Sequence, residues 1–330
     1  MRRLIVPIIA AVVLLTGCGT SAAERASQAT SARASAQGYP VEVVSCGIPL
    51  RLDAPPSKVL VLGETGFSNL AALGLVDRVA LRAGVAHFDS AAPDLQATYD
   101  AIPAVDAGRG ENGAVILSTE VALKAGVDLV IGYDKGVDRE ALTKAGIKLY
   151  SPEAYCPTYA GGKASWHLVE EELTKLATIF GRPQNARRAI DDLRAKADQL
   201  RSQTGAARGS AAALYMPAGA TKLRVYGVSS MIQPILEANA LTNAYADNTK
   251  RVFDLSMEDL LARNPDWIVL LSSDADEEQT LKTFTSFNGA AQLKAVERNQ
   301  VVVIPFVLTD PPNVLSVKGA TMLSEKLKTK

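Results

Sequence analysis

Two glutamates occupy the same point of a repeated sequence pattern. Glu120 lies in the sequence LSTE and Glu258 lies in the sequence LSME, and each precedes by eight residues an aspartate that opens an apolar run. Each segment has the pattern of a serine-capped helix that leads into a buried strand. The acids could simply complement the helix dipole, for about 0.3–1 kcal/mol each. Alternatively, they are two exposed carboxylates that a two-fold symmetric partner binds through arginines.

The first cysteine belongs to a targeting signal. Two arginines precede the apolar run 4–15, and Leu15-Thr16-Gly17-Cys18 looks like a bacterial lipobox, in which the cysteine after the cleavage site receives the lipid. The run is shorter than the roughly 20 residues that a transmembrane helix needs. We therefore predict a signal peptide at 1–17, lipidation at Cys18 and a flexible tether at 18–38, which anchor the protein to the outer face of the cell membrane.

The other two cysteines, Cys46 and Cys156, would then lie outside the cytoplasm. A matched pair in that compartment favours a disulfide over reactive thiols. The bond would join the start of the first predicted lobe to its end. Because the sequence has only two histidines, His87 and His167, and no CxxC, it gives little support to a zinc site.

Composition and motifs exclude several classes of function. Hydrophobic residues make up 48% of the chain and charged residues 21%, which predicts a packed globular body. Basic and acidic residues balance at 35 each, so nothing indicates nucleic-acid binding. The chain lacks GxSxG, HExxH and a P-loop, which disfavours an enzyme. Residues 108–113 match GxGxxG, but only a short, doubtful strand precedes them and no helix opens within them, so a loop is the better interpretation.

Strand-like and helix-like segments alternate on both sides of a long helical stretch. This alternation predicts an α/β fold with two lobes, each with a mainly parallel central sheet. Ligands of such sheets bind beyond the carboxyl ends of the strands. In the first lobe that edge would carry Glu64 with Thr65, Arg82, 106–109 and Tyr133 with Asp134.

The helical stretch at 165–204 is predicted to bridge the lobes. Gly181 should end a first helix, and Pro183 with Asn185 should start a longer one, whose apolar residues recur every three or four positions. The bridge would leave a ligand cleft between a lobe at 39–164 and a lobe at 205–330. One more helix within a single domain is the alternative.

The order of these segments resembles the class III periplasmic binding proteins, which serve ABC importers of iron–siderophores, haem and cobalamin. The stretches that carry the resemblance are KVLVLGETGFSNLAALGLVDRV, STEVALKAGVDLVIG, the bridge and LSMEDLLARNPDWIVLL. The resemblance implies a monomer without catalytic activity or intrinsic cofactor, whose Glu120 and Glu258 dock onto arginines of the importer's transmembrane subunits. At 125–128 the chain has AGVD where the family usually has Lys-Pro-Asp.

The resemblance also implies a ligand, of which an iron(III)–siderophore is the leading candidate. Siderophore oxygens suit the forked donors of arginine, and tyrosines add stacking and hydroxyl contacts. Cobalamin, haem and a deazaflavin cofactor precursor remain alternatives, as does an envelope sensor or scaffold without transport. An aromatic content of 5% weakly disfavours haem and cobalamin. The candidate ligand-binding residues, each with a solvated or core position as its alternative, are Arg82, Arg109, Tyr133, Trp166, Tyr215, Arg224, Tyr226 and Arg251.

Overall fold

The computed structural model describes residues 38–330 except 65, 89–91, 110–114, 134–135, 157–158, 160, 218 and 274–275. The predicted signal peptide, the lipidation site Cys18 and all of the predicted tether except Gly38 lie outside the described residues. Within the described part of the chain, no helix has the length and apolar character needed to cross a membrane.

The first lobe contains a five-stranded parallel sheet. Its strands are short and apolar, and the central one is buried at every position, as expected for a sheet covered by helices on both faces. In spatial order they are β5 (Ala104–Val105), β4 (Val79–Ala83), β3 (Val59–Leu62), β8 (Leu129–Ile131) and β9 (Lys148–Tyr150). The helices of this lobe are α1 (Phe67–Ala72), α2 (Pro93–Asp100), α3 (Thr119–Lys124) and α4 (Arg139–Lys144).

Two antiparallel pairs accompany this sheet. The chain enters the lobe through the hairpin of β1 (Val41–Ser45) and β2 (Ile48–Leu52), and β6 (Gly108–Arg109) pairs with β7 (Val115–Ile116). The GxGxxG stretch therefore begins in β6, and the next helix of the described residues begins at Thr119. A disulfide joins Cys46, at the turn of the first hairpin, to Cys156, which follows β9.

Two helices connect the lobes: α5 (His167–Phe180) and α6 (Pro183–Ser202). As predicted, Gly181 ends the first helix, with φ 64° in the left-handed region that favours glycine. The helices pack side by side in opposite directions, since Arg194 Nη2 of α6 lies 2.6 Å from Glu170 Oε2 of α5. The connection is thus a helical hairpin rather than a single rod.

The longer helix, α6, is the one that reaches from lobe to lobe. At its start, Asn185 Nδ2 donates to the carbonyl oxygen of Leu73 in the first lobe at 2.7 Å. Just beyond its end, Thr204 Oγ1 donates to the carbonyl oxygen of Ala238 in the second lobe at 2.6 Å. At 1.5 Å per residue the helix spans roughly 30 Å.

The second lobe contains a mixed sheet with a parallel centre. In spatial order its strands are β13 (Val252–Leu255), β11 (Leu223–Tyr226), β10 (Ser210–Met216), β14 (Trp267–Ser272) and β15 (Val301–Pro305), and β12 (Thr242–Asn243) also pairs with β10. Among the described strands of this sheet, only the pairings of β11 are antiparallel. The helices are α7 (Ile232–Glu237), α8 (Met257–Arg263), α9 (Glu277–Thr285), α10 (Lys294–Glu297) and α11 (Ser316–Lys328).

The lobes share one hydrophobic core beneath the cleft. A single cluster of buried apolar side chains runs from the first lobe through both bridging helices into the second. Buried Asn69 of α1 links the lobes by hydrogen bonds: its Nδ2 donates to the carbonyl oxygen of Pro312, and its Oδ1 accepts from the backbone N–H of Val314 at 3.0 Å. These contacts fix the lobes to each other at the base of the cleft.

Candidate ligand-binding site

A cavity of about 700 Å³ lies between the lobes. Its first-lobe wall comes from β7 and from the segments that follow β3, β4, β8 and β9. Its second-lobe wall comes from β10 and β11 and from the segments beside β13, β14 and β15. The site therefore lies where the carboxyl ends of the parallel strands meet, as that topology predicts. The volume falls within the range of about 300–1,000 Å³ that is typical of small-molecule sites.

Basic side chains gather on the second-lobe wall. Arg224, Lys250 and Arg251 line the cavity there. The Arg224 Nε lies 3.2 Å from Asp254 Oδ1 on the neighbouring strand, in an exposed pair. Arg251 is ion-paired with Asp310, whose side chain is only 1% exposed. This wall can therefore offer guanidinium and ammonium donors to anionic or oxygen-rich ligands.

The Arg251 guanidinium is held in place from both lobes. Burial lowers its pKa, but Asp310 together with Tyr226, Tyr155 and Tyr159 outweighs burial, so the pKa is raised and the group stays charged. The guanidinium carbon also lies 5.6 Å from the ring centroid of Tyr155, which belongs to the first lobe. Arg251 is thus a preorganised donor at the junction of the two walls.

Tyrosines dominate the aromatic part of the lining. Five of the nine tyrosines in the chain line the cavity, which makes its surface far more aromatic than the 5% average composition indicated. The rings pair within each wall: Tyr133 lies 5.7 Å from Tyr155, and Tyr215 lies 4.9 Å from Phe306, centroid to centroid. The composition argument against ligands with large flat faces therefore loses its force.

One acid faces these groups from the first lobe. Glu64 is the only carboxylate among the described residues that line the cavity, and it follows β3 directly after Gly63. Burial raises its pKa, although a hydrogen bond from its own backbone N–H and the nearby His87 act in the opposite direction. The cavity thus holds a partly desolvated acid opposite a basic wall.

The structure brings together five of the eight predicted ligand residues: Tyr133, Tyr215, Arg224, Tyr226 and Arg251 line the cavity. Arg82 does not, because its guanidinium donates to the carbonyl oxygens of Ile102 and Gly84, each at 3.0 Å. Trp166 does not line it either, since it packs against the main core at the start of α5. Arg109 lies in β6, but its side chain is not among the parts of the chain that the structure describes.

Sequence reasoning missed Tyr155 and Tyr159 of the lining and did not include His87, which also lines the cavity, among the candidate ligand residues. Both tyrosines follow β9. Tyr133 was predicted because ligands bind beyond the carboxyl ends of parallel strands, and the same rule applied to β9 would have found these two tyrosines. Tyr159 also reaches the second lobe, where its hydroxyl donates to the carbonyl oxygen of Ser229 at 3.4 Å.

The two repeated glutamates occupy equivalent, exposed places. Ser118 caps α3 by accepting from the backbone N–H of Val121, and Ser256 caps α8 by accepting from that of Asp259. Glu120 and Glu258 follow in the first turn of these helices, and both are exposed. Their surroundings differ, because Glu120 is ion-paired with Lys124 at 2.6 Å whereas Asp259 adds a second acid beside Glu258.

Within the described residues, no group of three or more His, Cys, Asp or Glu side chains is placed to hold a metal ion. A model of the family described as periplasmic binding protein matches residues 59–308, which is most of the chain. The chain belongs to the periplasmic binding protein family. This periplasmic binding protein is therefore the solute-binding, non-enzymatic component of an ABC importer.

Solved structures agree with this assignment. The chain is similar to the crystal structure of an ABC-type Fe³⁺-hydroxamate transport system from Saccharomonospora viridis, with 31% identity and a TM-score of 0.81 over 88% of this chain and 99% of that one. It shares the fold of a periplasmic haem-binding protein from Pseudomonas aeruginosa, with 20% identity and a TM-score of 0.62 over 82% and 92% of the two chains.

A periplasmic vitamin B12 binding protein from Vibrio cholerae also has this fold, with 16% identity and a TM-score of 0.59 over 83% and 98% of the two chains. No curated protein matches the sequence significantly.

Proposed function

We propose that this binding protein captures an iron(III)–hydroxamate siderophore outside the cytoplasm and delivers it to an ABC importer. The observation that carries the proposal is the second-lobe wall, where Arg224 and Arg251 stand beside Tyr215 and Tyr226. Hydroxamate oxygens bound to iron retain partial negative charge and accept hydrogen bonds, so guanidinium and phenol donors suit them. The relative from Saccharomonospora viridis, at 31% identity, is described as part of a Fe³⁺-hydroxamate transport system.

The proposed ligand set consists of Tyr133, Tyr155, Tyr215, Arg224, Tyr226 and Arg251. Arg82 and Trp166 are left out because their contacts lie away from the cavity. In this set Arg251 binds the chelate oxygens most strongly, since Asp310 and Tyr155 already hold its guanidinium in place and binding needs little reordering.

Delivery would use the exposed glutamates and a lipid anchor. Glu120 and Glu258 offer one carboxylate per lobe to arginines of the transmembrane subunits. Val115 and Val252, which line the cavity, begin the strands that lead into α3 and α8, so the proposed docking surface adjoins the proposed ligand site. Lipidation of Cys18 would keep the protein, as a monomer, at the membrane that holds its importer.

The haem and vitamin B12 alternatives rest on one observation: the cavity is rich in tyrosine, which favours stacking on flat ligands. A binding panel separates them. Calorimetric titration of residues 38–330 with an iron(III) trihydroxamate, haem and cobalamin should give 1:1 binding of the trihydroxamate with a micromolar or lower Kd. Tight binding of haem or cobalamin with no binding of the hydroxamate would contradict the proposal.

A further inference from the structure

The charges on the two cavity walls are opposite in sign. The second-lobe wall carries Arg224, Lys250 and Arg251, whereas Glu64 is the only acid that the described residues contribute to the lining. Two of the three cations are already paired with acids of their own lobe, namely Asp254 and Asp310. The basic wall therefore does not need Glu64 as a counterion, and the acid is available to a ligand.

Among the described residues, few groups compensate the charge of the Glu64 carboxylate. No side chain of the described residues donates a hydrogen bond to its carboxylate or forms an ion pair with it within 4.0 Å, and the hydrogen bond that it accepts comes from its own backbone N–H. The charged or titratable groups that act on it electrostatically are His87, which also lines the cavity, and Tyr99, which is buried behind it. A carboxylate that is partly withdrawn from water without a counterion is costly, and a ligand cation would offset this cost.

Among iron(III) trihydroxamates, only those with an additional basic group carry such a cation. Three hydroxamate anions balance the charge of iron(III), so the coordination centre itself is neutral. A trihydroxamate that also carries a free primary amine has one positive charge near neutral pH, remote from the iron. Its shape would suit a cavity with donors on one wall and a carboxylate on the other.

We propose that Glu64 selects iron(III) chelates that carry a protonated amine, and that such a chelate lies across the cavity with its amine against Glu64 and its iron-bound oxygens against Arg224, Lys250 and Arg251. This inference rests on the proposed function, because it takes the ligand to be a hydroxamate chelate. It adds a specificity determinant: the first lobe recognises the amine, and the second lobe recognises the chelate.

The test compares two ligands that differ only in this charge: an iron(III) trihydroxamate with a free amine, and the same chelate with its amine acetylated. Calorimetry on the wild type should show the amine form binding about 10- to 100-fold more tightly, as expected for a charge-assisted hydrogen bond. In Glu64→Gln the two forms should bind equally, at about the wild-type affinity for the acetylated form. The control Glu140→Gln, an exposed acid of α4 that is paired with Lys144, should keep the preference.

The outcomes separate the proposed role of Glu64 from the proposed function. If the wild type binds both forms with equal affinity, the role of Glu64 is overturned while the proposed function stands. If neither form binds, the proposed function itself fails. A preference that persists in Glu64→Gln would place amine recognition elsewhere and overturn the inference. Should Glu64→Gln not fold, as judged by circular dichroism, the wild-type comparison still decides, and Glu64→Asp, which retains the charge, should retain part of the preference.

Discussion

The guanidinium of Arg251, which lines the cavity, forms an ion pair with the buried carboxylate of Asp310. The Arg251 side chain is 18% exposed and the Asp310 side chain 1% exposed, so the pair is largely shielded from water. Such a pair is not in itself strong evidence of stabilisation, but the removal of one partner leaves an uncompensated buried charge. The same pair therefore couples the stability of the fold to the shape of the ligand site.

This coupling predicts a non-additive pair of substitutions. Arg251→Met should lower the free energy of unfolding by about 3–5 kcal/mol, because it leaves Asp310 unpaired. Arg251→Met with Asp310→Asn should recover much of that loss, yet both variants should bind the chelate weakly because the guanidinium is gone. Urea unfolding and calorimetric titration measure the two effects. The control Arg224→Met breaks an exposed pair with Asp254 and should cost only about 1 kcal/mol or less. Equal stability of the single and double variants would contradict the account.

The disulfide should affect both stability and binding. Cys46 and Cys156 are 110 residues apart, and cross-links that close loops of this length stabilise by about 2–5 kcal/mol. The double substitution Cys46→Ser with Cys156→Ser should lower the unfolding free energy by this amount. It should also weaken ligand binding, because Tyr155 and Tyr159 of the cavity wall flank Cys156. A reductant should destabilise the wild type but leave the double variant unchanged; an equal response of both proteins would rule out a stabilising disulfide.

Asp266 should make stability depend on acid pH. Hydrogen bonds from the backbone of Ser210 and from Lys294 lower the pKa of Asp266 to about 2, below the ordinary aspartate value of about 3.9. A pKa lower in the folded state than in the unfolded state contributes stability that is present above about pH 4 and is lost as the pH falls toward 2. Asp266→Asn should therefore cost up to about 2 kcal/mol at pH 7 and less at pH 3.

Denaturant unfolding of the wild type and this variant at both pH values measures the difference. Asp192→Asn, which breaks an exposed pair with Lys196 on α6, is the matched control and should change stability by less than about 0.5 kcal/mol. A constant cost of Asp266→Asn from pH 7 to pH 3 would contradict the assignment.

Docking to the importer should depend more on the second lobe than on the first. Lys124 neutralises Glu120, whereas Ala262 occupies the matching position after Glu258 and Asp259 adds negative charge there. Uptake of radiolabelled iron chelate by cells should fall more for Glu258→Ala than for Glu120→Ala and should be lost in the double variant. Ligand affinity should be unchanged in all three, since both acids lie outside the cavity lining.

Glu140→Ala is the control: it removes another exposed acid that forms an ion pair with the lysine four residues later, and it should leave uptake intact. If uptake survives the double change, Glu120 and Glu258 are not the docking residues. If affinity falls with uptake, the two acids act on the ligand site instead.

Local sequence patterns predicted the scaffold well. The serine caps at Ser118 and Ser256 are confirmed, as is the helix end at Gly181, because capping and left-handed termini depend on residues close in sequence.

The two lobes share a second feature besides the repeated glutamates, namely an aspartate that accepts a hydrogen bond from the backbone of a serine. Asp128 accepts from the backbone N–H of Ser57 at 2.7 Å, and Asp266 accepts from that of Ser210 at 2.8 Å.

The parts of the site that sequence reasoning missed depend on distant contacts. Arg82 follows the predicted strand like a rim residue, but two backbone carbonyls and the ring of Tyr99 hold its guanidinium away from the cavity. Tyr155 lies in a segment without helix or strand periodicity. Its place after β9 indicates the edge of the sheet, but its position in the wall also depends on the disulfide at Cys156 and on its contact with Arg251 across the cleft, neither of which leaves a local pattern.

The central claim is that the chelate binds in the cavity between the lobes, and filling that cavity tests the claim most directly. Val85 lines the cavity and is 43% exposed, while Val44 lies outside it on β1 and is 47% exposed. Calorimetric titration with an iron(III) trihydroxamate should show that Val85→Trp weakens binding about 10-fold or more because the indole occupies ligand space, whereas Val44→Trp binds like the wild type. Equal binding by Val85→Trp, Val44→Trp and the wild type would contradict the assignment of the site.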